Sequence, residues 1–226
     1  MEISEKRFLF GDRELLLTVA DLLSAPVEVI VNSAEPTLQH VQGMAQTIRQ
    51  RAGSRLQEDS DQLIREYGVI DPGMAVYTSA GELPYKAIIH AVPPPPGDRE
   101  EQRKLEQAVS RSLQLCDMNE WRSVGFPLIG TEAGGLPLAL CAQAFYRAIT
   151  RFWDARQECA VEQVRVYLLP DQFQAFSAAF HEHEGATQPT ASGAHAAAVE
   201  ENIGEISLSE SEIADLDDSD IDSWFK

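Results

Sequence analysis

The sequence predicts an α/β fold of three layers, helices on both sides of a mixed central sheet, followed by an acidic tail. Three observations carry this. Short apolar runs alternate with longer segments whose apolar residues recur every three or four positions. At 226 residues the chain suits one compact domain with an appendage. Its end changes character altogether: residues 200–226 hold ten acidic groups against one base, half of a net charge of −18.

The strands, in order, are Glu14–Ala20, Val27–Asn32, Met74–Thr78, Tyr85–Val92, Ser123–Ile129 and Gln163–Leu169, short and mostly rich in β-branched residues. Gly43–Leu56, Asp59–Glu66, Glu100–Met118, Pro137–Ala155 and Asp171–His181 have the spacing of amphipathic helices. Such alternation implies a sheet covered on both faces, with ligands at the carboxyl ends of its strands. Pro93–Pro96 and Gly97 make a stiff strand-to-helix connection. The domain is expected over 1–183. Residues 184–199, dominated by Ala, Ser, Thr, Gly and Pro, make a flexible linker, because they bury too little apolar surface to offset the entropy of ordering them. Residues 200–226 form the disordered acidic tail.

A composition of 44% hydrophobic and 24% charged residues is globular. No stretch approaches the ~20 apolar residues of a membrane helix, and the first residues lack a signal-peptide core, so a cytoplasmic protein without membrane contact is expected. The acidic balance argues against direct nucleic-acid binding, which needs clustered Lys and Arg. Cys116, Cys141 and Cys159 are odd in number and lack metal-ligand spacing, which suggests neither a disulfide framework nor a metal site. Cys116, Cys141 and His90 are expected in the core, and His181 and His183 receive no chemistry.

Three segments follow strands and carry polar or glycine residues: Asp21-Leu22, Asn32-Ser33-Ala34-Glu35-Pro36, and Gly130-Thr131-Glu132-Ala133-Gly134-Gly135-Leu136-Pro137. The third precedes a helix. Its glycines allow close backbone approach, and the helix start offers N–H groups to an anion, as a phosphate site requires. On residues alone, Asp21 caps a turn or accepts from a ligand, and Asn32 satisfies a turn or holds one.

In order along the chain, these pieces resemble the macrodomain family. Ala20-Asp21-Leu22-Leu23 is similar to its Gly-Asp-Ile-Thr, and Asn32-Ser33-Ala34-Glu35 to its Asn-Ala-Ala-Asn. Gly73-Met74-Ala75, Thr78, Ala80-Gly81, Leu83-Pro84, Lys86 and Ile88-Ile89-His90-Ala91-Val92 match a further stretch, and Phe126 through Pro137 resembles the loop crossing the diphosphate. The resemblance covers most of residues 13–180. It implies that Asp21 accepts from the adenine amino group of ADP-ribose while the Leu22 amide donates to the ring, and that Asn32 holds the distal ribose. Gly43, Gly130, Thr131, Ala133, Gly134 and Gly135 would surround the phosphates.

Departures from the family narrow the function. Its first glycine loop, ending in Val-Asp-Gly, aligns with His40-Val41-Gln42-Gly43-Met44-Ala45-Gln46, where only Gly43 remains. Hydrolytic members use the Asp of that loop and the second Asn of Asn-Ala-Ala-Asn; here those positions are Ala45 and Glu35. Alanine neither accepts a proton nor orients a water. Glu132 replaces a glycine of the second loop and brings a like charge toward phosphate. Leu169 stands where an aromatic often stacks on adenine. The expected function is a reader of ADP-ribose or a related NAD-derived nucleotide on proteins or free, without a resident cofactor. A hydrolase rebuilt around Glu35, with His40 as a titratable neighbour, and a ligand-free scaffold are the alternatives. In the tail, Ile213, Leu216, Ile221, Trp224 and Phe225 interleave with carboxylates, a pattern suited to a protein partner with a basic-rimmed groove at 213–226.

Overall fold

The computed structural model of the chain describes residues 5–131 and 135–187, with backbone alone for 182–187. The expected linker and tail lie almost wholly outside these residues. Strands β1 (Glu5–Phe10) and β2 (Arg13–Thr18) pair as a hairpin around Gly11 and Asp12. Then come β3 (Val29–Ser33), α1 (Gly43–Ala52), α2 (Ser54–Tyr67), β4 (Ala75–Thr78) and β5 (Ala87–Ala91). The order closes with α3 (Glu101–Met118), β6 (Ser123–Pro127), α4 (Leu138–Ala155), β7 (Gln163–Tyr167) and α5 (Pro170–Thr187). The last helix runs four residues past the expected domain end at 183.

The sheet order is β1-β2-β7-β6-β3-β5-β4. Its outer pairs, β1 with β2 and β4 with β5, are antiparallel, and the central pairs are parallel. Both faces of the parallel centre are buried, which is why its strands read as nearly continuous apolar runs. Val29, Val31, Ala87, Ile89, Val164 and Val166 face the layer of α3, α4 and α5. Ile30 and Ile88 point the other way, toward Ile48 and Ala52 of α1 and Leu56 of α2. The architecture is three-layer α/β/α with a mixed sheet.

Two local expectations need correction. β1 was not foreseen, since Glu5, Lys6 and Arg7 hide its pattern; Phe8 is buried while Leu9 is 65% exposed, as befits an edge strand. The single helix expected over Gly43–Leu56 breaks at Gly53, whose φ of +79° ends α1, with its N–H bonded to the Arg49 carbonyl at 3.1 Å. Helix α2 then starts at once and absorbs the segment expected separately at Asp59–Glu66. No helix among the described residues is long and apolar enough to cross a membrane.

The N-terminal strand and the last helix lock together through aromatic rings. Phe180 is fully buried and meets Phe8 at 5.5 Å, Tyr146 at 5.2 Å and Phe176 at 5.8 Å between ring centres. Edge-on geometry adds to the area each ring buries. Phe180→Ala should therefore lower the unfolding free energy by about 3–5 kcal/mol, read as a fall in the urea midpoint with an unchanged slope.

Candidate functional site

Strand β3 lies between β5 and β6, so the loops leaving the carboxyl ends of β3 and β6 stand side by side. Between them opens a cleft of about 780 Å³, of a size suited to a nucleotide. Its walls are Ser33–Pro36, His40–Ala45, the proline run Pro93–Pro96, and Pro127-Leu128. The proline run thus forms a rigid side of the cleft. Glu35 is exposed on the wall, beside Gly43, Met44 and Ala45.

Of the other expected residues, Asp21, Leu22, Asn32, Gly130, Thr131 and Gly135 are not among the described residues lining the cleft. Asp21 caps the short turn Leu22–Ser24, one carboxylate oxygen accepting from the Leu23 N–H at 3.0 Å and the other 3.7 Å from the Arg51 guanidinium. That ion pair is about half exposed on both sides and adds little stability. Leu22 is buried against the α1–α2 layer, and its carbonyl accepts from the Tyr85 hydroxyl at 3.1 Å. Tyr167, at the end of β7, packs in the same cluster; burial raises its hydroxyl to about 12. Leu169 is 60% exposed and belongs to none of the core clusters.

Gly130 cannot be replaced cheaply. Its φ is +82°, and a Cβ there would come within 3.1 Å of Leu105. Its carbonyl accepts from the Leu136 N–H at 3.0 Å, pinching the loop shut just ahead of α4. Thr131 and Gly135 are half-buried on either side. Glu132, Ala133 and Gly134 lie outside the described residues.

Beneath the cleft is a buried polar network that the residue pattern did not reveal. Asn32, at 0% exposure, places its amide nitrogen 3.2 Å from His40 Nδ1 and 3.3 Å from His90 Nδ1. His40 Nε2 lies 3.0 Å from Ser60 Oγ, which itself donates to the Leu56 carbonyl. His90 Nε2 lies 2.9 Å from Thr78 Oγ1, which donates to the Ser79 carbonyl. Each hydroxyl has used its hydrogen, so each imidazole donates from Nε2 and accepts at Nδ1. The two amide hydrogens of Asn32 satisfy the two rings, which stack at 4.7 Å. One atom is left over: Asn32 Oδ1 is buried without a partner among the described residues.

This overturns the expectation that His40 is a titratable neighbour of Glu35. His40 is 1% exposed, buried in a neutral network among α2, β3 and β5. Its partners sit 8, 20 and 50 positions away in sequence, which is why local pattern could not expose it. The backbone there departs from ordinary geometry, with φ of +53° at Leu38 and +52° at His40. For residues bearing a Cβ this costs roughly 1–2 kcal/mol each, offset by full burial of both side chains.

Burial holds the His40 imidazole at about 4 rather than 6.5, with Arg49 reinforcing the effect and Asp61 opposing it. Burial and the neighbouring His40 hold His90 well below its ordinary value. Burial pushes Cys141 up to about 12 and raises Cys116 further, so both thiols are packing groups and not nucleophiles.

The macro domain family model matches residues 31–145, and the chain belongs to that family. It is 39% identical over 136 residues to the O-acetyl-ADP-ribose deacetylase of Klebsiella pneumoniae, covering 59% of this chain and 78% of that protein. It is 33% identical over 180 residues to human protein mono-ADP-ribosyltransferase PARP14, covering 77% of this chain but only 10% of the human protein. Among solved structures, the Oceanobacillus iheyensis macrodomain with ADP matches at a TM-score of 0.75 and 24% identity, over 82% of this chain and all of that one. This last likeness bears on fold alone.

The unfolded chain protonates its histidines near 6.5, whereas the folded His40 resists until about 4. Between these values the unfolded state binds more protons, so stability present above 6.5 is lost as pH falls. Urea unfolding followed across that window should show this decline, and His40→Asn should make it shallower, leaving the part due to His90.

Proposed function

We propose that this macrodomain binds ADP-ribose or a related NAD-derived nucleotide and does not hydrolyse it by the family's usual route. The observation that carries this reading is the cleft at the ends of β3 and β6, whose wall includes Gly43 and Ala45; the resemblance sets Ala45 against a catalytic carboxylate, and alanine neither accepts a proton nor orients a water. On this reading Asp21 and Leu22 hold the adenine, and the backbone from Gly130 to Gly135 serves the phosphates. Asn32, which the family resemblance links to the distal ribose, is fully buried here with its amide held by His40 and His90, and the ligand reaches the site either free or attached to a protein.

Hydrolysis is the second reading. Its support is Glu35, a carboxylate on the cleft wall, together with the deacetylase named among the relatives. Release of free product from an ADP-ribosylated protein or from O-acetyl-ADP-ribose, abolished by Glu35→Gln, would establish it in place of the reader.

Asp21 gives the direct test of binding. Asp21→Asn keeps the oxygen that caps Leu23 but turns the second acceptor into a donor facing the adenine amino group. Calorimetric titration with ADP-ribose should show affinity falling by about tenfold or more, with the melting temperature of the free protein unchanged. No heat with ADP-ribose, NAD, ATP or AMP in the native chain would sink both readings and leave a scaffold. We further propose that 213–226 docks a protein partner, so that removing it abolishes partner capture and leaves nucleotide affinity as it was.

A further inference from the structure

We propose that a second hollow, in the angle between α1 and α2, binds a basic amino acid, free or at the end of a peptide: Arg49 takes its carboxylate, and Glu58 with Asp61 takes its cation. The inference goes beyond the nucleotide reading and needs no ligand in the cleft.

The hollow measures about 620 Å³, within the ~300–1,000 Å³ that small ligands occupy. Its place follows from Gly53. Helix α1 ends there and α2 begins at the next residue, so the two form a corner, and the loop residues His40 and Val41 close a third side. Arg49, in the last turn of α1, lines it together with Ser54, Gln57, Glu58 and Asp61, whose spacing puts them on one face of α2.

Charge changes sign along that face. At one end Ser54 starts α2, whose first N–H groups receive no side-chain cap from Gly53, and a helix start favours an anion. Arg49 adds a full positive charge at the same end. Its neighbours Arg51 and Arg55 are paired with Asp21 and Asp59, whereas Arg49 gives one hydrogen bond to the Gln39 carbonyl at 3.1 Å and has no ion pair among the described residues. At ~1.5 Å per residue, Glu58 and Asp61 stand about 6 and 10 Å farther along the helix than Ser54. Neither Glu58 nor the half-buried Asp61 has an ion pair among the described residues. Gln57 steadies Asp61: its amide nitrogen donates to the Leu38 carbonyl at 3.2 Å and to Asp61 Oδ1 at 2.8 Å, which leaves Oδ2 for a ligand. The same orientation strands Gln57 Oε1, a buried acceptor without a partner among the described residues. Arg49 and Asp61 both act on the His40 ring, with opposite sign. A lone anion here would meet Glu58 and Asp61, and a lone cation would meet Arg49. A carboxylate and a cation joined by a short stem satisfy both ends, and arginine fits best because its planar fork takes several acceptors at once.

The test is titration of the full chain with L-arginine, followed by calorimetry and by amide NMR. Binding should move the amide signals of Gly53, Ser54, Gln57 and Asp61. Agmatine, the same molecule without its carboxylate, should bind at least about tenfold more weakly, and Arg49→Gln or the pair Glu58→Gln and Asp61→Asn should each lower arginine affinity by a similar factor. An acetylated tripeptide ending in arginine separates the sources: tighter binding than free arginine identifies a peptide end, and weaker binding a free amino acid. Ser54→Glu guards against a folding defect. An acid at a helix start favours the helix, so this variant should melt no lower than the native chain and still lose arginine by repelling its carboxylate. The site is overturned if neither arginine nor the tripeptide binds, if agmatine binds as well as arginine, or if folded Ser54→Glu binds arginine as the native chain does.

Discussion

Everything at the cleft depends on the parallel pairing of β3 between β5 and β6. Parallel neighbours share a direction, so their carboxyl ends and following loops are delivered to one edge of the sheet. Val29 opposes both Ala87 and Val124, and from that register the ends of β3 and β6 fall side by side. The apolar layers above and below exist to keep this register: a slip by one position would send Val29 and Val31 into the face now occupied by Ile30. Once the register is fixed, the loop after β3 and the loop after β6 have no choice but to face one another.

Beneath that edge the protein spends buried surface on a polar cluster. Asn32, His40, His90, Ser60 and Thr78 come from two strands, a helix, a loop and the end of a third strand, and each hydrogen in the cluster has one place to go. Polar networks of this kind are costly when incomplete and rigid when complete. This one is complete except at Asn32 Oδ1. The exception sits at the residue that the family resemblance links to a sugar, whose amide nitrogen is held by His40 and His90.

Much of the fold was legible because periodicity survives in single segments. The strands at Ser123 and Gln163 and the helices near Glu101 and Leu138 end within two residues of where the pattern placed them. The edge strand β1 was invisible because only one side of it is buried, and the break at Gly53 because an isolated glycine inside a helical pattern is ambiguous. At the site, the segments were legible as loops after strands, and the family could be read from matching pieces in order. The role of His40 was not. Burial is a property of the assembled layers, and a histidine between glutamine and valine carries no sign that Ser60 and His90 will close around it.

The contact between Phe8 and Phe180 bears on how such a unit is carried within longer chains. A strand near the start and a helix near the end of the folded body meet there, so its entry and exit lie close together. A body with adjoining ends can be spliced between other segments as a cassette, imposing little strain on what comes before or after it. Its folding, by the same token, waits on both extremities. A ribosome that has not yet released the last helix leaves the edge strand without its cover, so the unit completes itself only when synthesis has passed Phe180.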